Sequence, residues 1–175
     1  MALPPKPLAA LIHALDAVGI WSGKIVAWLI LPMVMSLVYE VAARYLFDAP
    51  TIWAYDMTFM LYGSFFMLGS AYTLQKGGHI RTDNFYGEWS VRRQGWTDAA
   101  CYLVLFFPAI AIFTVLSWDY FVRSWGQSER IVTSPWMPPV YPFKLTMPVA
   151  GALLFLQGIS EFLKSLWAGL HGERL

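Results

Sequence analysis

One cysteine, Cys101, and three histidines, His13, His79 and His171, are all that this 175-residue chain holds of the side chains most used for redox chemistry and metals. A single cysteine forms no intrachain disulfide and no multi-cysteine metal site. All three histidines fall outside the long apolar segments, so bis-histidine haem ligation within those segments has no ligands. There is no HExxH zinc motif and no glycine-rich phosphate loop. Charge is scarce as well: 13% of residues are charged, against roughly 25% in an ordinary globular domain. The net charge is +1 with no long basic run, which gives no reason to expect nucleic acid as a partner. The opening stretch, MALPPKPLAALIHALDAVGI, lacks a small-residue cleavage site after a clean apolar run and reads as a retained segment. These gaps argue against a catalytic membrane enzyme and call for no cofactor and no metal.

What is present is apolar: 58% of residues are hydrophobic, gathered into four long segments. They run from Trp21 to Phe47, Trp53 to Leu74, Cys101 to Trp118 and Tyr141 to Trp167. Each has at least the roughly 17 to 25 residues that a helix needs to cross ~30 Å of hydrocarbon. The expectation is an all-α integral membrane protein with four transmembrane helices and short interfacial amphipathic helices. Residues 1–20 form an N-terminal segment, 21–168 the membrane domain and 169–175 a cytoplasmic tail. Within the first of these, Leu8, Leu11, Ile12, Leu15 and Val18 recur at helical spacing, with His13 and Asp16 off the stripe. That pattern suits a helix lying on the membrane or one packed on a partner.

Lysine and arginine near the membrane decide orientation. Lys6, Lys24, Lys76, Arg81, Arg92, Arg93, Lys164 and Arg174 gather on one side, and Arg44, Arg123, Arg130 and Lys144 on the other. Eight against four places both termini in the cytoplasm. The connection after the second segment mixes Phe85, Trp89, Arg92, Arg93 and Trp96, which fits either a headgroup-level helix facing anionic lipid or a solvated loop. Arg81, Trp89, Arg92, Arg93 and Trp96 are its candidate membrane-interface residues. Gly77 and Gly78 punctuate the preceding helix, and Pro135, Pro138 and Pro139 forbid a continuous helix in the opposite connection.

Polar residues inside the apolar segments are the candidate functional set. Glu40 and Arg44 are four apart, on one helical face, and can pair. Asp56 lies three residues after Trp53 at the start of the second segment, where the tight turn LFDAPT brings Arg44 toward it. An intramembrane charge costs roughly 2.5 to 3.5 kcal/mol at a helix centre, so such residues want partners. The set is either a structural ion pair facing another subunit or the coupling carboxylates of a small transporter. Gln157, Glu161 and Lys164 make a further one-face group, read as a snorkelling helix end with an internal pair. Gly63 with Ser70 and Gly151 with Gly158, each seven apart, make flat stripes for close packing, and Pro32, Pro108 and Pro148 invite kinks.

Three motifs in order carry a resemblance. RYLFDAPTIWAYD supplies Arg44, Tyr45, Pro50, Trp53 and Asp56; GGHIRTDNFYGEWSVRRQGWTD supplies His79, Asp83, Arg92 and Arg93; the third is WMPPVYPFKLTMPVAGALLFLQGISE. Over nearly its whole length the chain resembles the small, DctQ-like membrane subunit of tripartite ATP-independent periplasmic (TRAP) transporters. Asp56 departs from the glutamate more usual there. The third motif looks like the branch whose relatives take up oxo-acids, mannitol or chloroaromatics. The resemblance implies a multi-pass subunit of the bacterial inner membrane, paired as a heterodimer with a large membrane subunit and served by a periplasmic solute-binding protein. A sodium gradient would drive uptake of a small organic acid or related solute, with this chain as scaffold. The alternatives are a self-sufficient four-helix proton-coupled exporter using Glu40 or Asp56, and a purely structural assembly factor.

Overall fold

A computed structural model describes residues 4–78 and 86–175. Among these residues the chain is helical, without strands; an isolated bridge between Arg130 and Pro139 is the only β pairing. The elements are α1 (Lys6–Ala27), α2 (Ile30–Leu46), α3 (Ala54–Gln75), α4 (Val91–Cys101), a π-helical turn (Tyr102–Phe106), α5 (Phe107–Gly126) and α6 (Tyr141–His171).

Proline chemistry explains two of the interruptions. Pro32 has no N–H, and its ring crowds the carbonyl four residues back, that of Trp28. The chain tightens there: Trp28 N–H reaches Ile25 O at 3.2 Å and Leu29 N–H reaches Val26 O at 2.9 Å, which separates α1 from α2. Pro108 makes the same demand on Val104, inside the π turn, where Phe107 N–H reaches back to Tyr102 O. The wider turn loosens the ladder where the ring must fit. Pro148 behaves differently, because α6 passes through it as one 31-residue helix.

Among the described residues three helical runs are long and apolar enough to cross a membrane: Lys6–Leu46, Val91–Gly126 and Tyr141–His171. Four were expected. With 22 residues α3 has the length, but Gly63, Ser64, Gly69, Ser70 and its tyrosines lower its mean hydropathy, and it is not among them. Helix limits and the expected segment limits are different things. No break occurs between residues 20 and 21, because α1 runs from Lys6 to Ala27 without interruption, so the N-terminal helix and the first segment are continuous. At the other end α6 runs through residue 168 to His171, where Gly172 at φ +73° closes it. Only a residue without Cβ adopts that left-handed conformation without strain.

The core lies where α3 and α6 meet the other helices. α3 packs against α1, α2 and α6, while α6 also receives α4 and α5. Small residues set these approaches. Gly63 faces the Phe143 ring, Gly151 faces Thr114 and Phe113, and Gly158 faces Phe106, so the glycine pair of α6 is a groove for the π turn and α5. Gly95 of α4 lies directly on the α6 backbone: a Cβ there would stand 2.3 Å from Gly169 N and 2.6 Å from Ser165 O. Outward faces stay apolar and uncovered, as Leu31, Met35, Val38 and Tyr45 on α2 and Ile112, Val115, Leu116 and Trp118 on α5 illustrate. A water-soluble bundle of this size would not leave such rows exposed.

Candidate functional site

Among the described residues, four groups of polar side chains stand out. The largest joins α1 to α6. Asp16 Oδ2 sits 2.8 Å from Lys164 Nζ, and its Oδ1 accepts from Ser160 Oγ at 2.6 Å, Gln157 Nε2 at 2.9 Å and Lys164 Nζ at 3.0 Å. Glu161 Oε1 takes a second bond from Lys164, at 2.8 Å, and one from Gln157, at 3.2 Å. Gln157 and Ser160 are 1% and 0% exposed, so their donors have no water to fall back on and the carboxylates satisfy them. Gly19 makes room, since a Cβ there would stand 2.5 Å from Gln157 Oε1. The internal pair expected in this group is present, Lys164 with Glu161, but reading the group as a snorkelling end misses its link to Asp16. Its sequence signal was Asp16, a carboxylate off the apolar stripe of α1.

The second group lies at the opposite end of α2. Glu40 Oε1 accepts from Arg44 Nε at 2.9 Å and from Arg44 Nη2, and its Oε2 accepts from Thr51 N–H at 2.9 Å and from Thr51 Oγ1. Both oxygens are therefore engaged, and the turn into α3 is tied to α2. Arg44 does not pair with Asp56, contrary to the expectation from the tight turn. Asp56 instead accepts from Ser134 Oγ, 78 residues on, and Ser134 Oγ also takes Trp136 N–H at 3.2 Å. Trp53 is the residue before α3, its ring 5.6 Å from that of Tyr39.

Residues 127–140 form the third group. The carbonyl of Pro138 accepts from Ile131 N–H at 3.1 Å, and that of Glu129 from Val140 N–H at 3.0 Å, which folds the connection back on itself. Lys144, 5% exposed, anchors it: its ammonium bonds the Glu129 carboxylate and lies 3.7 Å from the centre of the Tyr120 ring. The hydrogen bond from Lys144 holds the Glu129 carboxyl below its ordinary value. Sequence reasoning missed this pairing, because Lys144 and Glu129 share no helix.

The fourth group surrounds α4. Arg93 stacks over Trp89, 4.2 Å from the ring centre, Arg92 Nε donates to Gly169 O at 3.2 Å, and half-exposed Trp96 covers Gly169. Arg92 thus supplies a donor to a carbonyl in the last turn of α6. The other member of the expected membrane-interface set, Arg81, lies outside the described residues, as do His79, Asp83 and Phe85. Among the described residues no three histidine, cysteine, aspartate or glutamate side chains converge as a metal site would require.

A bundle with outward apolar faces and internally paired charges narrows the class to a membrane protein, and comparison with known families decides within it. The model of the tripartite ATP-independent periplasmic transporters, DctQ component, matches residues 33–167. The chain belongs to the DctQ family. No curated protein matches the sequence. A DctQ chain is the small permease subunit of a TRAP transporter, a transport component of a family that is not enzymatic. Membership implies association with a large TRAP membrane subunit and a periplasmic binding protein, and with the apolar helices it fits a multi-pass inner-membrane protein. The DctQ match spans most of α2, all of α3, α4 and α5 and most of α6, including Glu40, Arg44, Trp53 and Asp56 and the Glu129–Lys144 anchor. Asp16 lies upstream of it.

Proposed function

We propose that this DctQ-family chain is the static scaffold subunit of a sodium-driven importer of a small organic acid or related solute, carrying no solute itself. One observation carries the reading: the carboxylates Asp16, Glu40, Glu129 and Asp56 are each engaged by a neighbouring side chain. Asp16 engages Lys164, Glu40 engages Arg44, Glu129 engages Lys144, and Asp56 engages Ser134. A solute site needs several placed polar groups facing an empty concave wall, whereas a scaffold needs area and shape. The exposed rows of α2 and α5 supply area for lipid and for a larger subunit.

In this reading α3 is a fourth span despite its modest hydropathy, because it packs between α1, α2 and α6 over its length. Partners cover its polar positions: Thr58, Ser64 and Thr73 hydroxyls each donate to the carbonyl four residues back, at 2.7, 2.7 and 3.1 Å. Both termini face the cytoplasm, with Trp89, Arg92, Arg93 and Trp96 at the lipid headgroups, and Arg81 in the same connection. Glu40, Arg44, Trp53 and Asp56 brace the opposite end, beside the large subunit. The soluble binding protein delivers solute to the large subunit from the periplasm.

The test is reconstitution. With the binding protein and a sodium gradient present, proteoliposomes holding the large subunit alone should be inactive, and adding this chain should restore uptake. Glu40→Gln should leave the pH dependence of uptake unchanged, since both Glu40 oxygens serve the α2–α3 turn. Proton-driven flux by this chain alone, abolished by Glu40→Gln or Asp56→Asn, would replace the scaffold reading with the exporter.

A further inference from the structure

Between α4 and the C-terminal half of α6 lies a pocket of about 170 Å³, which none of the groups above uses as a site. Its polar wall carries two carboxylates, Asp98 and Glu161, and two cations, Lys164 and Arg174; Val91 and Ala168 contribute apolar wall. The volume is below the roughly 300–1,000 Å³ of ordinary small-molecule sites, so the occupant is compact.

Depth follows from the charges. Asp98 is the last charged residue before the uncharged run 99–118, and Glu161 is the first after the uncharged run 145–160. Both runs are helical and long enough for most of a bilayer, so the pocket stands where two apolar runs end together. That is the headgroup level. Trp96 and the Trp89–Arg93 stack sit on the same short helix and its entry, as aromatic and basic side chains do at that depth.

The distribution of bonds says what the pocket takes. Tyr86 donates to Oδ2 of Asp98, while Gln157 and Lys164 both donate to Oε1 of Glu161. One oxygen of each carboxylate is thus left for a donor from outside. Arg174 gives Nη2 to Gln94 Oε1 and has further N–H groups for an anion. A purely basic pocket would select anionic headgroups; this one offers both signs a few residues apart. We infer that it binds a zwitterionic phospholipid headgroup with a primary ammonium, phosphoethanolamine, its phosphate toward Arg174 and its ammonium toward Asp98 and Glu161. A trimethylammonium headgroup has no N–H to give the two carboxylates, so phosphatidylcholine is a poor substitute.

The assignment needs the bilayer placement of the chain but not its role in transport. The full chain is equilibrated in mixed micelles holding equal phosphatidylethanolamine, phosphatidylcholine and phosphatidylglycerol, and the retained lipid is read by native mass spectrometry. Phosphatidylethanolamine should be enriched several-fold, with the enrichment lost in Asp98→Asn and in Arg174→Gln and kept in Asp98→Glu. Unchanged melting of these variants separates loss of binding from loss of fold. Equal retention of the three lipids, preference for phosphatidylglycerol, or enrichment indifferent to both substitutions would overturn the assignment. A further arm supplies water-soluble phosphoethanolamine at the same concentration. Binding as tight as that of the lipid would assign the pocket to a free solute instead.

Discussion

Lys164 of α6 meets Asp16 of α1 at 2.8 Å across 148 positions of the chain, and this contact fixes where the N-terminal helix lies. With α1 held there, it packs on both α3 and α6, Gly19 standing against Gln157 and Gly23 against the Tyr72 side chain. A 31-residue helix is about 46 Å long, some 16 Å more than the hydrocarbon it crosses. The excess gives α4 a surface to dock on, where Gly95 meets Ser165 and Gly169.

Asp16→Asn should lower the melting temperature of the detergent-solubilised chain, at a cost of about 1.5–3 kcal/mol, the range for hydrogen bonds to a charged group. Lys164 keeps Glu161 as a partner, so the loss stays below that of stranding a buried charge. Gly19→Ala should act in the same direction, because it meets the tethered Gln157 amide at 2.5 Å. Wild-type melting in both variants would remove the network from the account of stability.

Gly95→Ala probes the α4–α6 contact. Its Cβ meets backbone, which cannot swing aside as a side chain can, so about 1–3 kcal/mol of overpacking is expected. Gly126→Ala, with nothing within 4 Å of its Cβ, is the matched control and should be neutral or slightly stabilising. Equal melting of the two variants would show that α4 is not seated on α6.

Acid should release the 127–140 connection. The Glu129 carboxyl is held below its ordinary value of 4.5 by the Lys144 hydrogen bond, so its stabilising contribution is complete above that value. It is lost as pH falls through the lower value of the folded chain. Proteolysis of this connection should therefore quicken below about pH 4.5, and Glu129→Gln should be fast at neutral pH and lack the transition. A Glu129→Gln profile matching wild type would break the link.

Topology is tested by single cysteines in a Cys101→Ser background. Val132→Cys and Glu88→Cys, both at exposed positions, should label from opposite sides of the membrane, the former from the periplasm. Labelling of both from one side would end the four-span arrangement.

The helices were legible wherever local chemistry dictates them. Gly77, at φ +64°, closes α3 where the sequence reading placed punctuation, and the α3 and α6 starts lie within a residue of their expected positions. Pro32 and Pro108 marked the two interruptions, though not that one would be a tight turn and the other a π turn. The Glu40–Arg44 spacing is helical and was equally readable. Contacts across the chain were not. Asp56 looked toward Arg44 because the turn is short, yet its hydrogen bond goes to Ser134, which reaches it only because the 127–140 connection folds back. Asp16 and Lys164 each sit in an unremarkable local pattern, and nothing but the packing of α1 on α6 joins them.

The central claim, a small subunit that works only beside a larger one, is tested most directly by the mass of the native complex. After gentle solubilisation from its own membrane, a tagged copy of this chain should appear in native mass spectrometry bound one-to-one to a much larger TRAP membrane protein. Recovery of the chain alone, or only as assemblies of itself, under conditions that preserve other inner-membrane complexes would contradict it.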